Sequence, residues 1–222
     1  MPKTVCKKFV LADNLTLAYQ SEDLWEAETQ LQHDVKVMNR YYTKWRLKLD
    51  LFKTVVSSFH LNNQQAHRML NIHIDDLKLE HVFTPKILGV TFDRSCTFRE
   101  HLEGKAKKLA TRNNLLEQLA GSSWGANALT LRTAGLSLVF GSAEYCSPVW
   151  MSSIHCTKIN VLLNRCMRII TGTIKPSTPT QWLPVLSNIA PPHLRRLQAL
   201  LRCGGAIFDR TGSHCVAVGL IV

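Results

Sequence analysis

Near residue 96 the hydrophobic pattern of this 222-residue chain changes period. Upstream, one helical stretch aside, short β-branched and aromatic runs alternate with turn residues; downstream, apolar residues recur at steps of three and four. That switch constrains the chain to the α+β class, with β-hairpins and a helix first and an all-helical region after them. The expected division is 1–96, 97–172, 173–202 and 203–222.

The first hairpin is written in residues 6–19, CKKFVLADNLTLAY, where Phe9-Val10-Leu11 and Leu15-Thr16-Leu17 flank Ala12-Asp13-Asn14. Asp and Asn tolerate the positive φ of tight turns, so a purely structural turn accounts for this pair as well as a functional one does. From Ser21 the period becomes helical. Leu24, Ala27, Leu31, Val35, Met38, Tyr42 and Trp45 predict an amphipathic helix over 22–45, with Ser21 as its N-cap. Lys53-Thr54 then leads into the strand-like run Val55-Val56. The alternation in 77–83 and the run 87–92 after Pro85 predict two strands that pair as a second hairpin.

Further helices are expected from Thr97, with Phe98, Leu102, Ala106, Leu109 and Leu116 on the apolar side, and over 127–140 and 155–170. Lys105, Lys107, Lys108 and Arg112 lie along the first of these. Residues 173–192 hold five prolines and read as extended or turn-rich, ahead of a short basic helix over 193–202 and a loose tail over 203–222.

Charge narrows the choice of partner. There are 27 Lys+Arg against 16 Asp+Glu, a net +11, and such a surface attracts polyanions, nucleic acid first; a solvated basic surface is the alternative. Seven cysteines without C-x-x-C pairs form neither a disulfide framework nor a zinc signature, and the spacings of His155, Cys156, Cys166, Cys203, His214 and Cys215 fit no familiar metal site. No stretch approaches the roughly 18 uninterrupted apolar residues of a membrane span, so an intracellular protein, nuclear or cytoplasmic, with no membrane partner is expected.

The order of these elements, together with FVLADNLTLAYQS, WRLKLDLFKTVVSSFHLNN, PKILGVTFDRSCTFREHL and WLPVLSNIAPPHLRRLQAL, resembles the carboxy-terminal half of the reverse transcriptase of a non-LTR (LINE-type, jockey-like) retrotransposon, a mobile element. The likeness covers residues 9–201. It implies a partial polymerase palm over 1–96, a thumb-like helical bundle over 97–172, a proline-rich connector with a basic helix over 173–202 and a divergent tail.

The same resemblance implies site residues. Asp13 takes the place of the first Asp of the family's Y-A-D-D turn and its metal ligand, while the second Asp is Asn14 here and the Tyr is Leu11. Lys53 matches a basic residue that donates a proton to, or clamps, the departing pyrophosphate. Leu88 and Gly89 match the hairpin that grips the primer, and Lys105, Lys107, Lys108 and Arg112 are implied phosphate contacts to an RNA or DNA template-primer duplex. The family uses Mg²⁺, held by converging carboxylates. With Asn14 in place of Asp, and with only eight residues ahead of Phe9 to supply the other metal-binding Asp, productive Mg²⁺ binding is not expected. The expectation is therefore a truncated reverse transcriptase-like fragment (an RNA-directed DNA polymerase relative) inactive on its own. Two alternatives stand beside it: a nucleic-acid-binding module that keeps the basic thumb without catalysis, and a pseudogene product with no stable function.

Overall fold

The computed structural model describes residues 1–12, 14–121, 125–173 and 177–203 and the backbone of Cys215–Val218. The chain forms two compact units, Met1–Cys96 with Asp209–Val222, and Thr97–Phe208.

In the first unit β1 (Lys7–Leu11) and β2 (Asn14–Gln20) pair antiparallel from Lys7↔Ala18 to Leu11↔Asn14. Ala12 sits at φ 54°. Leu15 and Leu17 alternate inward from β2, and α1 (Leu24–Lys44) buries Leu24, Ala27, Leu31, Val35, Met38 and Tyr42 in the same core. Six of the seven residues expected on that face are therefore inside. Trp45 is exposed because the helix has ended one residue earlier.

The N-cap is Asp23, whose carboxylate accepts from the Trp25 N–H at 2.9 Å; Ser21, the expected cap, lies too far upstream and accepts from the Asp23 N–H instead. Asp34 is a fully buried carboxylate on the apolar face that periodicity does not reveal. It accepts from the Cys6 N–H at 2.7 Å and so ties the segment ahead of β1 to α1. Burial pushes its pKa up, but hydrogen bonds from Cys6 and His33 outweigh that and hold it below the usual carboxylate value.

Short strands complete the unit. β3 (Val55–Val56) is followed by β4 (His73–Ile74) and β5 (Leu77–Lys78), an antiparallel pair around Asp75-Asp76. β6 (Glu80–His81) pairs parallel with β3, and β7 (Lys86–Ile87) pairs antiparallel with β8 (Val90–Thr91). The expected pairing of 77–83 with 87–92 does not form. Leu88 at φ 48° and Gly89 at φ 82° both occupy the left-handed region, as a two-residue I′ turn requires, so the second run folds back on Lys86–Ile87 instead.

The second unit opens with α2 (Arg99–Leu119), whose buried face is His101, Leu102, Lys105, Leu109, Asn113 and Leu116. The helix expected over 127–140 is α3 (Ala128–Ala134), capped by Asn127, which runs into a π-helical turn over Gly135–Phe140 and on into α4 (Gly141–Glu144). A Cβ on Gly135 would lie 2.9 Å from Ile170 Cδ1 and 3.1 Å from Cys166 Sγ, so any larger residue would have to displace both side-chain ends in the core. Next come α5 (Ser147–Trp150) and α6 (Cys156–Thr171), the latter closed by Gly172 at φ 65°. α2 and α6 are the main helix pair, tied by Asn113 Nδ2 donating to the Leu162 carbonyl at 2.9 Å.

The proline-rich segment is more helical than its composition implies. α7 (Leu183–Ser187) takes Pro184 in its first turn, where a missing N–H is harmless, and α8 (Pro192–Arg202) likewise begins on a proline. The tail is not a loose extension throughout: β9 (Cys215–Val218) pairs antiparallel with β2 from Leu17↔Val218 to Gln20↔Cys215, covering an edge that would otherwise present unpaired backbone groups.

Candidate nucleic-acid interface

Of the residues expected in the first unit, Lys53, Leu88 and Gly89 lie on turns. Asp13 is outside the described residues. Its neighbour Asn14 opens β2 opposite Leu11, and the side chains around that end of the hairpin, Phe9, Val10, Leu11 and Leu15, are apolar. One carboxylate and one neutral amide do not make the donor set of a two-cation centre, which needs several carboxylate oxygens. Among the described residues no three His, Cys, Asp or Glu side chains gather as metal ligands.

Lys53 is exposed and pairs with Asp50 Oδ2 at 3.3 Å across one turn of chain. Its backbone N–H also bonds to the Asp50 carbonyl, so a single local loop explains its position. Leu88 and Gly89 form the tip of the β7–β8 hairpin, with the Leu88 side chain turned to solvent.

The four implied phosphate contacts on α2, Lys105, Lys107, Lys108 and Arg112, separate into three environments. Lys105 is buried: its ammonium donates to the carbonyls of Tyr145 (2.8 Å), Ser142 (3.1 Å) and Ala143 (3.4 Å) and stands 5.1 Å from the Trp150 ring centroid. That corrects its expected role, because an ammonium fully engaged by carbonyls inside the unit does not reach a phosphate. Burial lowers its pKa to about 8. The sequence held the signal: Lys105 falls three residues after Leu102 and four before Leu109, on the apolar face. Arg112 is partly buried and donates to the Leu138 carbonyl in the π-helical turn. Lys107 and Lys108 are exposed, and among the described residues neither has an ion-pair partner.

Charge is divided unevenly between the units. Thr97–Phe208 holds 13 Lys+Arg against 4 Asp+Glu, a surplus of 9, whereas the remainder holds 14 against 12, a surplus of 2. Three of those four acids are engaged within the unit: Glu103 by Lys158 (2.7 Å) and Arg99, Glu117 by Arg165 (2.8 Å), and Glu144 by Arg195. The helical unit carries a net positive charge, although two of its bases, Lys105 and Arg196, are buried.

No family model and no solved structure matches the chain. Two curated proteins do. The chain is 28% identical over 169 residues to a probable RNA-directed DNA polymerase from transposon BS of Drosophila melanogaster, covering 72% of this chain and 18% of that protein. It is 26% identical over 152 residues to a retrovirus-related Pol polyprotein from type-1 retrotransposable element R1 3 of Nasonia vitripennis, covering 67% of this chain and 39% of that protein. The chain thus spans less than half the length of either relative. Among the described residues no helix is long and apolar enough to cross a membrane. The chain is thus similar to a transposon RNA-directed DNA polymerase and to the Pol polyprotein of a retrotransposable element.

Proposed function

We propose that this chain is a reverse transcriptase-like protein whose helical unit grips a nucleic-acid duplex through its phosphates, and that residues 1–222 do not polymerise DNA by themselves. In this reading the first unit corresponds to part of a palm and the second to a thumb. The observation that carries it is the surplus of 9 positive charges on Thr97–Phe208, with Lys107 and Lys108 open to solvent on one helix. A surface of that kind releases counterions when it binds a duplex, which gives affinity without sequence preference.

The second half of the proposal rests on Asn14. Exchanging a carboxylate for an amide beside two divalent cations removes a full negative charge where electrostatic stabilisation is usually the largest catalytic contribution. Primer extension on an RNA template with Mg²⁺ or Mn²⁺ tests this part directly. Template-dependent product from the purified chain contradicts it; duplex binding without product supports it.

A further inference from the structure

α8 is amphipathic, yet it is seated with its apolar side outward. Its inward side, packed on α5, carries Pro192 and Arg196, both buried. Arg195 turns the same way: its Nη2 donates to Glu144 Oε2 at 2.8 Å, and its guanidinium lies 5.3 Å from the Phe140 ring centroid. Leu194, Leu197 and Leu201, by contrast, are 48%, 44% and 68% exposed. At about 3.6 residues per turn the three leucines fall within roughly 60° of one another, on the side opposite Pro192 and Arg196. Their steps of three and then four are those of the a and d positions of a heptad seam. His193 flanks the stripe on one side and Gln198 and Arg202 on the other, all exposed. A helix that gives its arginines the dry side and its leucines the water is inverted relative to an ordinary surface helix.

Charge selects the occupant. Residues 145–208 contain 7 Lys+Arg and no Asp or Glu, and Glu144, which faces α8, is taken by Arg195. A second copy docked stripe to stripe would set basic flanks against basic flanks. A bilayer also matches poorly, because helices that lie on membranes keep Lys and Arg on an open polar face, whereas Arg195 and Arg196 are committed to the interior of the unit. We infer that the leucine stripe of α8 is a docking ridge for an amphipathic helix of another protein, one whose apolar seam is flanked by Glu or Asp. Leu194, Leu197 and Leu201 enter that seam, with the two helix axes about 8–10 Å apart, and the carboxylates of the partner lie over Arg202. The ridge is only about 10 Å long, so the contact belongs to the transient class. It does not depend on the proposed duplex grip.

The probe is a labelled peptide of about three heptads with leucine at a and d and glutamate at e and g, titrated with the full chain and followed by fluorescence anisotropy. The native chain is expected to bind it, and Leu197→Glu/Leu201→Glu to bind at least about tenfold more weakly with a melting temperature within about 2 °C of the native one, since both leucines are exposed. Leu197→Ser, which adds no charge, is expected to weaken binding in the same direction and decides the matter if the double variant does not fold. The same peptide with lysine at e and g is expected to bind at least about tenfold more weakly than the glutamate peptide. No binding of the glutamate peptide by the native chain, binding that the leucine variants leave unchanged, or equal affinity for the two peptides overturns the inference. A native chain that is dimeric by light scattering and becomes monomeric in the double variant assigns the stripe to a second copy instead, and phosphatidylserine-vesicle binding lost in that variant assigns it to a membrane surface; either result also overturns it.

Discussion

The side-chain amide of Gln32 caps the backbone of His73, a residue of the β4–β5 pair: it accepts from the His73 N–H at 2.7 Å and donates to the His73 carbonyl at 2.8 Å. One turn earlier Glu28 accepts from the Asn71 N–H at 3.0 Å and from Arg68. α1 thus holds the segment leading into β4 by imitating a β-ladder from a helix. Replacing Gln32 by Met keeps its length and removes both bonds, leaving two half-buried backbone groups without them. The expected loss is about 1–3 kcal/mol in urea unfolding, with faster amide exchange at His73 than at Leu17.

Lys105 gives the helical unit a pH dependence whose sign is fixed by burial. Its ammonium titrates at about 8 in the folded unit, against roughly 10.4 in an unfolded chain. Between those values the folded protein has released a proton that the unfolded chain still holds, so this group's contribution to stability rises with pH, by at most about 1.4 kcal/mol per pH unit. Unfolding free energies of the native chain and Lys105→Met, compared at pH 7.5 and 9.5, are expected to differ in that direction. A difference that does not change with pH contradicts the assignment.

Gly135→Ala is expected to act opposite to Gly104→Ala, which adds a methyl on the exposed face of α2 with nothing within 4 Å and so gains only helix propensity. The added methyl would lie 2.9 Å from Ile170 Cδ1 in a buried contact, so overpacking outweighs the gain in helix propensity and stability falls by about 1–3 kcal/mol. Chemical denaturation of the two alanine variants side by side checks the pair of signs.

Ala12 carries a side chain at φ 54° between β1 and β2. Glycine occupies that region without the Cβ clash, and Ala12→Gly is expected to stabilise the first unit by about 1 kcal/mol. A melting temperature that stays the same or falls would mean that the turn is held by contacts the glycine disturbs.

What the sequence made legible is the local periodicity. The apolar face of α1 from Leu24 to Tyr42 and the alternation of Leu15 and Leu17 follow from the spacing of side chains alone. Asp34 was not legible, because a carboxylate on an apolar face reads as an interruption until the Cys6 N–H is brought to it from 28 residues away. Nor were the parallel pairing of Val55–Val56 with Glu80–His81 and the docking of Cys215–Val218 on β2, which join distant segments too short to carry a pattern. Leu88 misled because branched apolar residues seldom adopt positive φ, so its run read as continuous strand. In the interface, exposure divides lysines that composition treats alike: Lys105 turns inward to carbonyls, while its neighbours Lys107 and Lys108 stay in solvent.

The most direct test is the salt dependence of duplex binding by the full chain and by Lys107→Gln/Lys108→Gln, followed by anisotropy between 50 and 200 mM salt, a range over which phosphate contacts weaken steeply. The native chain is expected to lose affinity linearly in log–log form, and the double variant to show a slope shallower by about two contacts. Equal slopes for the two proteins, or binding indifferent to salt, would contradict a phosphate grip on α2.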